Sequence, residues 1–144
     1  MSEIEIRELE TQFEWADAFF VIEQLRPRVN AEEYFEYLEQ MTTTGYRLFG
    51  LFVDDELAAV AGVNIGVNMY YGRHLWIDEL VTDSKHRSEG YGAQLMAYLE
   101  DWASERGCNK VALSSGLQRE EAHRFYEEKV GMEKASYVFT KELG

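Results

Sequence analysis

Cysteine and proline are nearly missing from this chain, with one of each, Cys108 and Pro27, in 144 residues. A single thiol cannot close an intramolecular disulfide, so an apolar core rather than covalent staples has to hold the fold. Cations are scarce too: 14 Lys and Arg stand against 27 Asp and Glu, a formal net charge of −13. Binding a phosphate backbone needs clustered Lys and Arg, so nucleic acid is not an expected partner. Polar or charged residues interrupt every hydrophobic segment, and none approaches the roughly 20 apolar residues needed to cross a bilayer, so no membrane partner is expected. The residues after Met1, "SEIEIRE", lack the basic region and apolar core of a secretory signal. The expectation is a soluble, cytoplasmic protein.

What is present suits one compact domain over residues 1–144: 46% hydrophobic and 14% aromatic residues, with no repeat, low-complexity linker or internal boundary. "EIEIREL" (Glu3 to Leu9) alternates as a half-buried strand does, with a late slip at Leu9. In "TQFEWADAFFVIEQLRP", Thr11 is a plausible N-cap, Phe13, Ala16 and Phe20 share one helical side, and Pro27 marks the end. Asn30 caps a second helix whose first turn carries Glu32 and Glu33. "DDE" at Asp54 to Glu56 separates two strand-like runs and predicts a hairpin. Arg73 to Thr82 reads as a strand, about Gly90 to Arg106 as a helix stopped by Gly107, and "KVALSS" as a strand. "REEAHRFYEEKVG" reads as a helix ended by Gly131, and "KASYVFTKEL" as a closing strand.

One short stretch runs against the general acidity. Lys85, His86 and Arg87 are the chain's only run of three basic-type residues, and Gly90 and Gly92 follow at the head of the third helix. A helix start leaves several N–H groups unpaired and pointing one way, which suits an anion. Without Cβ atoms the two glycines let a phosphate approach the main chain, and Arg87 can add a charge-assisted contact. Tyr91, Leu95, Tyr98, Leu99 and Trp102 form one apolar face that would seat the helix on a sheet. The chain has no P-loop, and the third glycine of a dinucleotide fingerprint is replaced by Leu95. On these residues alone an ordinary turn explains the glycines about as well as a phosphate cradle does.

Wider context favours the cradle. "RSEGYG" is similar to the R/Q-x-x-G-x-G/A motif of the GNAT superfamily of N-acetyltransferases. The span from Asp78 to Met132 resembles that family's central strand, pyrophosphate loop and helix, next strand, and a helix with A-x-x-F-Y followed by G-M. The N-terminal half matches by element order only. The resemblance implies an α+β, three-layer fold with helices on both faces of a mostly antiparallel central sheet, splayed between the fourth and fifth strands. It implies acetyl-CoA as cosubstrate, with no metal. Main-chain groups of Leu80, Val81 and Thr82 would pair with the pantetheine arm, while the segment Arg87, Ser88, Glu89, Gly90, Tyr91 and Gly92 would hold the pyrophosphate.

Moving an acetyl group from a thioester to an amine needs a neutral amine, a stabilised oxyanion and a proton for the departing thiolate. The resemblance places Tyr126 near the sulfur as general acid, and a phenol pKa near 10 keeps it protonated at neutral pH. For the base, Asp78 and Glu79 are adjacent on a strand, so in regular pleating only one can face the cleft. Glu79 shares parity with Leu75, Ile77 and Val81. A β-bulge here, as the resemblance suggests, would reset that parity and aim Glu79 at the acetyl group. Asp78, His123 or water are the alternatives. Tyr70, Tyr71 and Trp76 fall where relatives line the acceptor site, although hairpin packing would place them equally well. The expected partner is a primary amine on a small molecule, peptide or protein, and a homodimer is compatible with the sequence. A CoA-responsive regulatory module without turnover is the competing reading.

Overall fold

The computed structural model describes residues 2–144, in two compact units divided between Leu113 and Ser114. The first unit is built on a five-stranded sheet of order β1-β2-β3-β4-β5. Its strands are β1 (Ile4–Glu8), β2 (Arg47–Val53), β3 (Glu56–Asn68), β4 (Gly72–Thr82) and β5 (Lys110–Leu113). The first three pairings are antiparallel and β4–β5 is parallel. The helices of this unit are α1 (Gln12–Leu25), α2 (Ala31–Thr42) and α3 (Tyr91–Glu105).

Both expected N-caps form, each as a full capping box. Thr11 and Glu14 exchange side-chain and backbone hydrogen bonds at α1, and Asn30 and Glu33 do so at α2. Each box satisfies two amides that a helix start otherwise orphans. The α1 face differs from the expected one. Phe13 and Phe20 are exposed, while Ala18, Val21 and Ile22 are buried. The winning stripe, Trp15, Ala18, Ile22 and Leu25, also keeps helical spacing and packs with Leu38, Leu48, Val60 and Val81. The helix carries two apolar stripes, and the sheet covers the one through Ala18 and Ile22, with Trp15 and Phe19 partly buried against the same core.

Successive residues of β2 show how the layers divide. Leu48 joins the core under α1 and α2, whereas the Phe49 ring meets Tyr98 and Trp102 of α3 at 5.9 and 5.3 Å between centroids. Neighbouring strand residues face opposite sides, so the sheet lies between two helical layers. The β2–β3 hairpin turns at Asp54 and Asp55, both at positive φ (48° and 69°), a conformation that Asp tolerates and that matches strand twist.

Two irregularities in the sheet matter for function. The β3–β4 register runs Gly62↔Glu79 and then Val63↔Ile77, leaving Asp78 as an extra residue. This is the β-bulge expected near the acidic pair. Because Gly62 and Val63 are neighbours facing opposite ways, Glu79 points to the side opposite Ile77. The second irregularity is the end of the β4–β5 ladder. It runs from His74↔Lys110 to Ile77↔Leu113, whereas β4 remains paired to β3 as far as Thr82. Residues 78–82 therefore lie past the last β4–β5 ladder pair.

The second unit, Ser114–Gly144, contains α4 (Glu120–Arg124) and a wider π-type turn, Phe125–Lys129. The closing strand expected at Lys134 to Leu143 does not form: residues 132–144 carry no ladder, and Tyr137, Val138 and Phe139 are exposed. β-rich composition favours an extended chain, but a strand exists only through its neighbour's hydrogen bonds.

Candidate active site

Glu79 is the centre of a semi-buried polar cluster inside the first unit. The bulge turns its carboxyl onto the α1/α2 side of the sheet, where its side chain is 15% exposed. The Tyr46 hydroxyl donates to Glu79 Oε1. Arg26, the C-cap residue of α1, places Nε 3.7 Å from Oε2 and donates from a terminal guanidinium nitrogen to the Asp78 carbonyl at 2.8 Å. A Cβ on Gly62 would overlap the Tyr46 hydroxyl and stand 2.5 Å from Glu79 Oε1, so only glycine leaves room for this pairing. Burial raises the Glu79 carboxyl pKa; the Tyr46 hydrogen bond lowers it, the Asp78 charge raises it and Arg26 lowers it, with a net upward shift. Asp78 is also raised, chiefly by burial.

The adjacent aromatic residues form hairpin cover. Asn68 accepts from the amides of Tyr70 and Tyr71 across the β3–β4 turn. The Tyr71 ring contacts Tyr70, His74 and Trp76, at centroid distances of 4.7, 5.1 and 6.5 Å.

Beyond the bulge, Leu80, Val81 and Thr82 continue β4. Asp83 then ends the strand, and its carboxylate accepts from the Lys85 amide at 3.2 Å over a single 3₁₀ turn, Ser84–His86. Arg87, Ser88, Glu89 and Gly90 make the bend into α3, whose first turn holds Tyr91 and Gly92. Ser88 and Gly90 have φ of +67° and +83°. Gly90 is the N-cap and offers no side-chain hydrogen bond to the helix start, unlike Thr11 and Asn30. A Cβ placed there would meet nothing within 4 Å. This geometry fits a diphosphate: first-turn amides without a capping side chain, an open approach, and the exposed Arg87 alongside. His86 is tied to Glu56 at 3.2 Å and leans on the Tyr91 ring. Glu89 is exposed.

Tyr126 lies in the second unit, on the π-type turn, where its carbonyl accepts from the Met132 amide at 2.9 Å and its ring packs edge-on to Phe125. In the same unit His123 Nε2 donates to the Gly116 carbonyl at 2.8 Å, a structural use of the imidazole. The structure thus joins Asp78, Glu79 and the residues of β4, loop and α3 along one continuous segment of the first unit. Tyr46, Arg26 and Gly62 escape a sequence reading. Only the parity of Tyr46 with Leu48 hints at the face it occupies.

The model of the Acetyltransferase (GNAT) family matches residues 9–132. A Bacillus subtilis protein named uncharacterized N-acetyltransferase YhdJ is 40% identical over 141 residues, covering 97% of this chain and 99% of that one. The aminoalkylphosphonate N-acetyltransferase of Salmonella typhimurium is 37% identical over 67 residues, 46% of this chain and 43% of that one. Among solved structures, the aminoglycoside N-acetyltransferase AAC(6')-Iy in complex with CoA superposes with a TM-score of 0.85 at 16% identity, covering 99% of this chain and 96% of that one. With most of its length matched by the family model and the loop and bulge in place, the chain belongs to the acetyltransferase (GNAT) family.

Proposed function

We propose that the protein is an acetyl-CoA-dependent N-acetyltransferase that acts on a primary amine of a small molecule or peptide, with Glu79 as base and Tyr126 as acid. The observation that carries this reading is the Asp78 bulge. It rotates Glu79 away from the Ile77 side and into a half-buried cluster at the point where β4 passes its last pair with β5. The names of the two sequence relatives, both N-acetyltransferases, support the amine as acceptor.

Acetyl-CoA supplies the activated acyl carbon and a thiolate leaving group. The amides from Arg87 to Gly92 bind its diphosphate, and the main chain of Leu80, Val81 and Thr82 adds strand-like hydrogen bonds to the pantetheine. Glu79, with its pKa raised, takes the proton that the acceptor ammonium sheds to become the attacking neutral amine, directly or through one water. The amine nitrogen forms the C–N bond as the C–S bond breaks, Tyr126 gives its proton to the sulfur, and the second proton lost by the acylated nitrogen restores the phenol through solvent.

Free-thiol release from acetyl-CoA, followed across a panel of primary amines, tests the assignment. Turnover with at least one amine is expected. Tyr126→Phe is expected to lower kcat by about 10²-fold or more, in the range of general acid–base catalysis, while CoA affinity by calorimetry is kept. Cofactor binding with no transfer to any amine would instead mark a regulatory module, and unchanged turnover in Tyr126→Phe would remove its role as acid.

A further inference from the structure

We propose that Tyr46 is the positioning residue for the Glu79 carboxylate: its hydroxyl ties down Oε1 above the bare Cα of Gly62 and leaves Oε2 to meet the acceptor's proton. The inference rests on the reading of Glu79 as base. It begins with three facts that a packing role does not require. Tyr46 is 4% exposed, yet its one polar atom is spent on a carboxylate rather than on the backbone. The neighbouring buried tyrosine, Tyr34, shows the ordinary alternative, donating to the Trp15 carbonyl at 2.7 Å. Gly62, paired with Glu79 across the bulge, leaves empty the volume that hydroxyl and carboxylate share.

The two carboxylate oxygens are consequently unequal. Oε1 is held by a neutral donor. Oε2 faces Arg26 at 3.7 Å, beyond good hydrogen-bond length, through a side chain 45% exposed. Charged and titratable groups face Glu79 from each element around it: Arg26 from the end of α1, Tyr34 from α2, Tyr46 from the entry to β2 and Asp78 from β4. Among these, burial and Asp78 raise its pKa, whereas Tyr46 and Arg26 lower it. A general base gains from a fixed rotamer and from a pKa lifted toward neutrality without passing it: burial and Asp78 supply the lift, and the hydrogen bond from a neutral phenol fixes the rotamer and restrains the rise. Tyr46 remains the donor throughout, because burial and the Glu79 charge hold its own pKa far above the usual phenol range.

The test is a carboxyl ¹³C NMR titration of the full-length protein labelled at glutamate, with the Glu79 signal identified by its loss in Glu79→Gln. Tyr46→Phe is expected to move the Glu79 midpoint upward. Replacing Tyr46 with 3-fluorotyrosine, a stronger donor of nearly the same size, is expected to move it downward. That second protein keeps the core filled if the phenylalanine variant fails to fold. A midpoint unmoved by the fluorinated ring overturns the proposal.

Thiol release adds a kinetic arm, using the amine that serves to measure Glu79→Gln. Tyr46→Phe should lower kcat about tenfold with KM for acetyl-CoA unchanged, and should add no further loss in the Glu79→Gln background. A full additional loss in that background overturns the positioning role. Should Glu79→Gln itself leave turnover intact while the NMR midpoints shift as expected, Glu79 is not the base but the Tyr46 pairing stands.

Discussion

Glu79 shows what a bulge does to a single residue. By sequence parity it belongs with Leu75 and Ile77, which are buried at 0% and 3% exposure. The extra residue Asp78 moves it to the other layer, against Tyr46 and Arg26. Sequence alone left Asp78, His123 and water beside Glu79 as candidate bases, and the partners that gather around Glu79 come from 33 and 53 positions upstream, too distant for local pattern to reveal. The placement of Glu79 has a thermodynamic cost. Burial lifts the folded-state pKa of Glu79 above its ordinary 4.5, so the contribution of this group to stability is full below that value and is lost as pH rises through the folded pKa. Glu79→Gln is therefore expected to melt at higher temperature than the wild type at neutral pH, with the gap closing on acidification toward 4.5, as read by calorimetry across pH. A lower melting point at neutral pH would show the charged form to be stabilising.

At the level of elements, helix starts were the most legible feature, because a cap is a contact within four residues. Thr11 and Asn30 both cap where expected. The start of α3 is different: its N-cap is a glycine at φ +83° in open space, the conformation that side-chain-bearing residues avoid. Gly90→Val is expected to weaken CoA binding at least tenfold by calorimetry, since a β-branched residue strains the turn and crowds the amides. An unchanged affinity would place the diphosphate elsewhere. Helix faces were less legible. α1 carries two apolar stripes, each with aromatic residues, and nothing local says which the sheet will cover.

The whole molecule carries a net charge of −13, and such self-repulsion works against compactness. Raising salt from about 20 to about 200 mM shortens the Debye length to under ~10 Å and is expected to raise the melting temperature. A melting point that falls with salt would mean that ion pairs such as Arg47–Glu8 and Arg7–Glu14 outweigh the repulsion. Against this background the Lys85–His86–Arg87 run concentrates positive charge where an anionic cosubstrate is proposed to dock.

The sequence by itself determined whatever depends on neighbours a few positions apart: the capped helices, the Asp54–Asp55 hairpin, the glycine turn into α3 and the family to which these motifs belong. The tertiary structure alone decided which face of α1 is buried, that no ladder forms at residues 132–144, and that Tyr46, Gly62 and Arg26 gather around Glu79. Caps and tight turns are settled by short-range hydrogen bonds and φ preferences, whereas burial, strand pairing and a shifted pKa are set by atoms that only folding brings near.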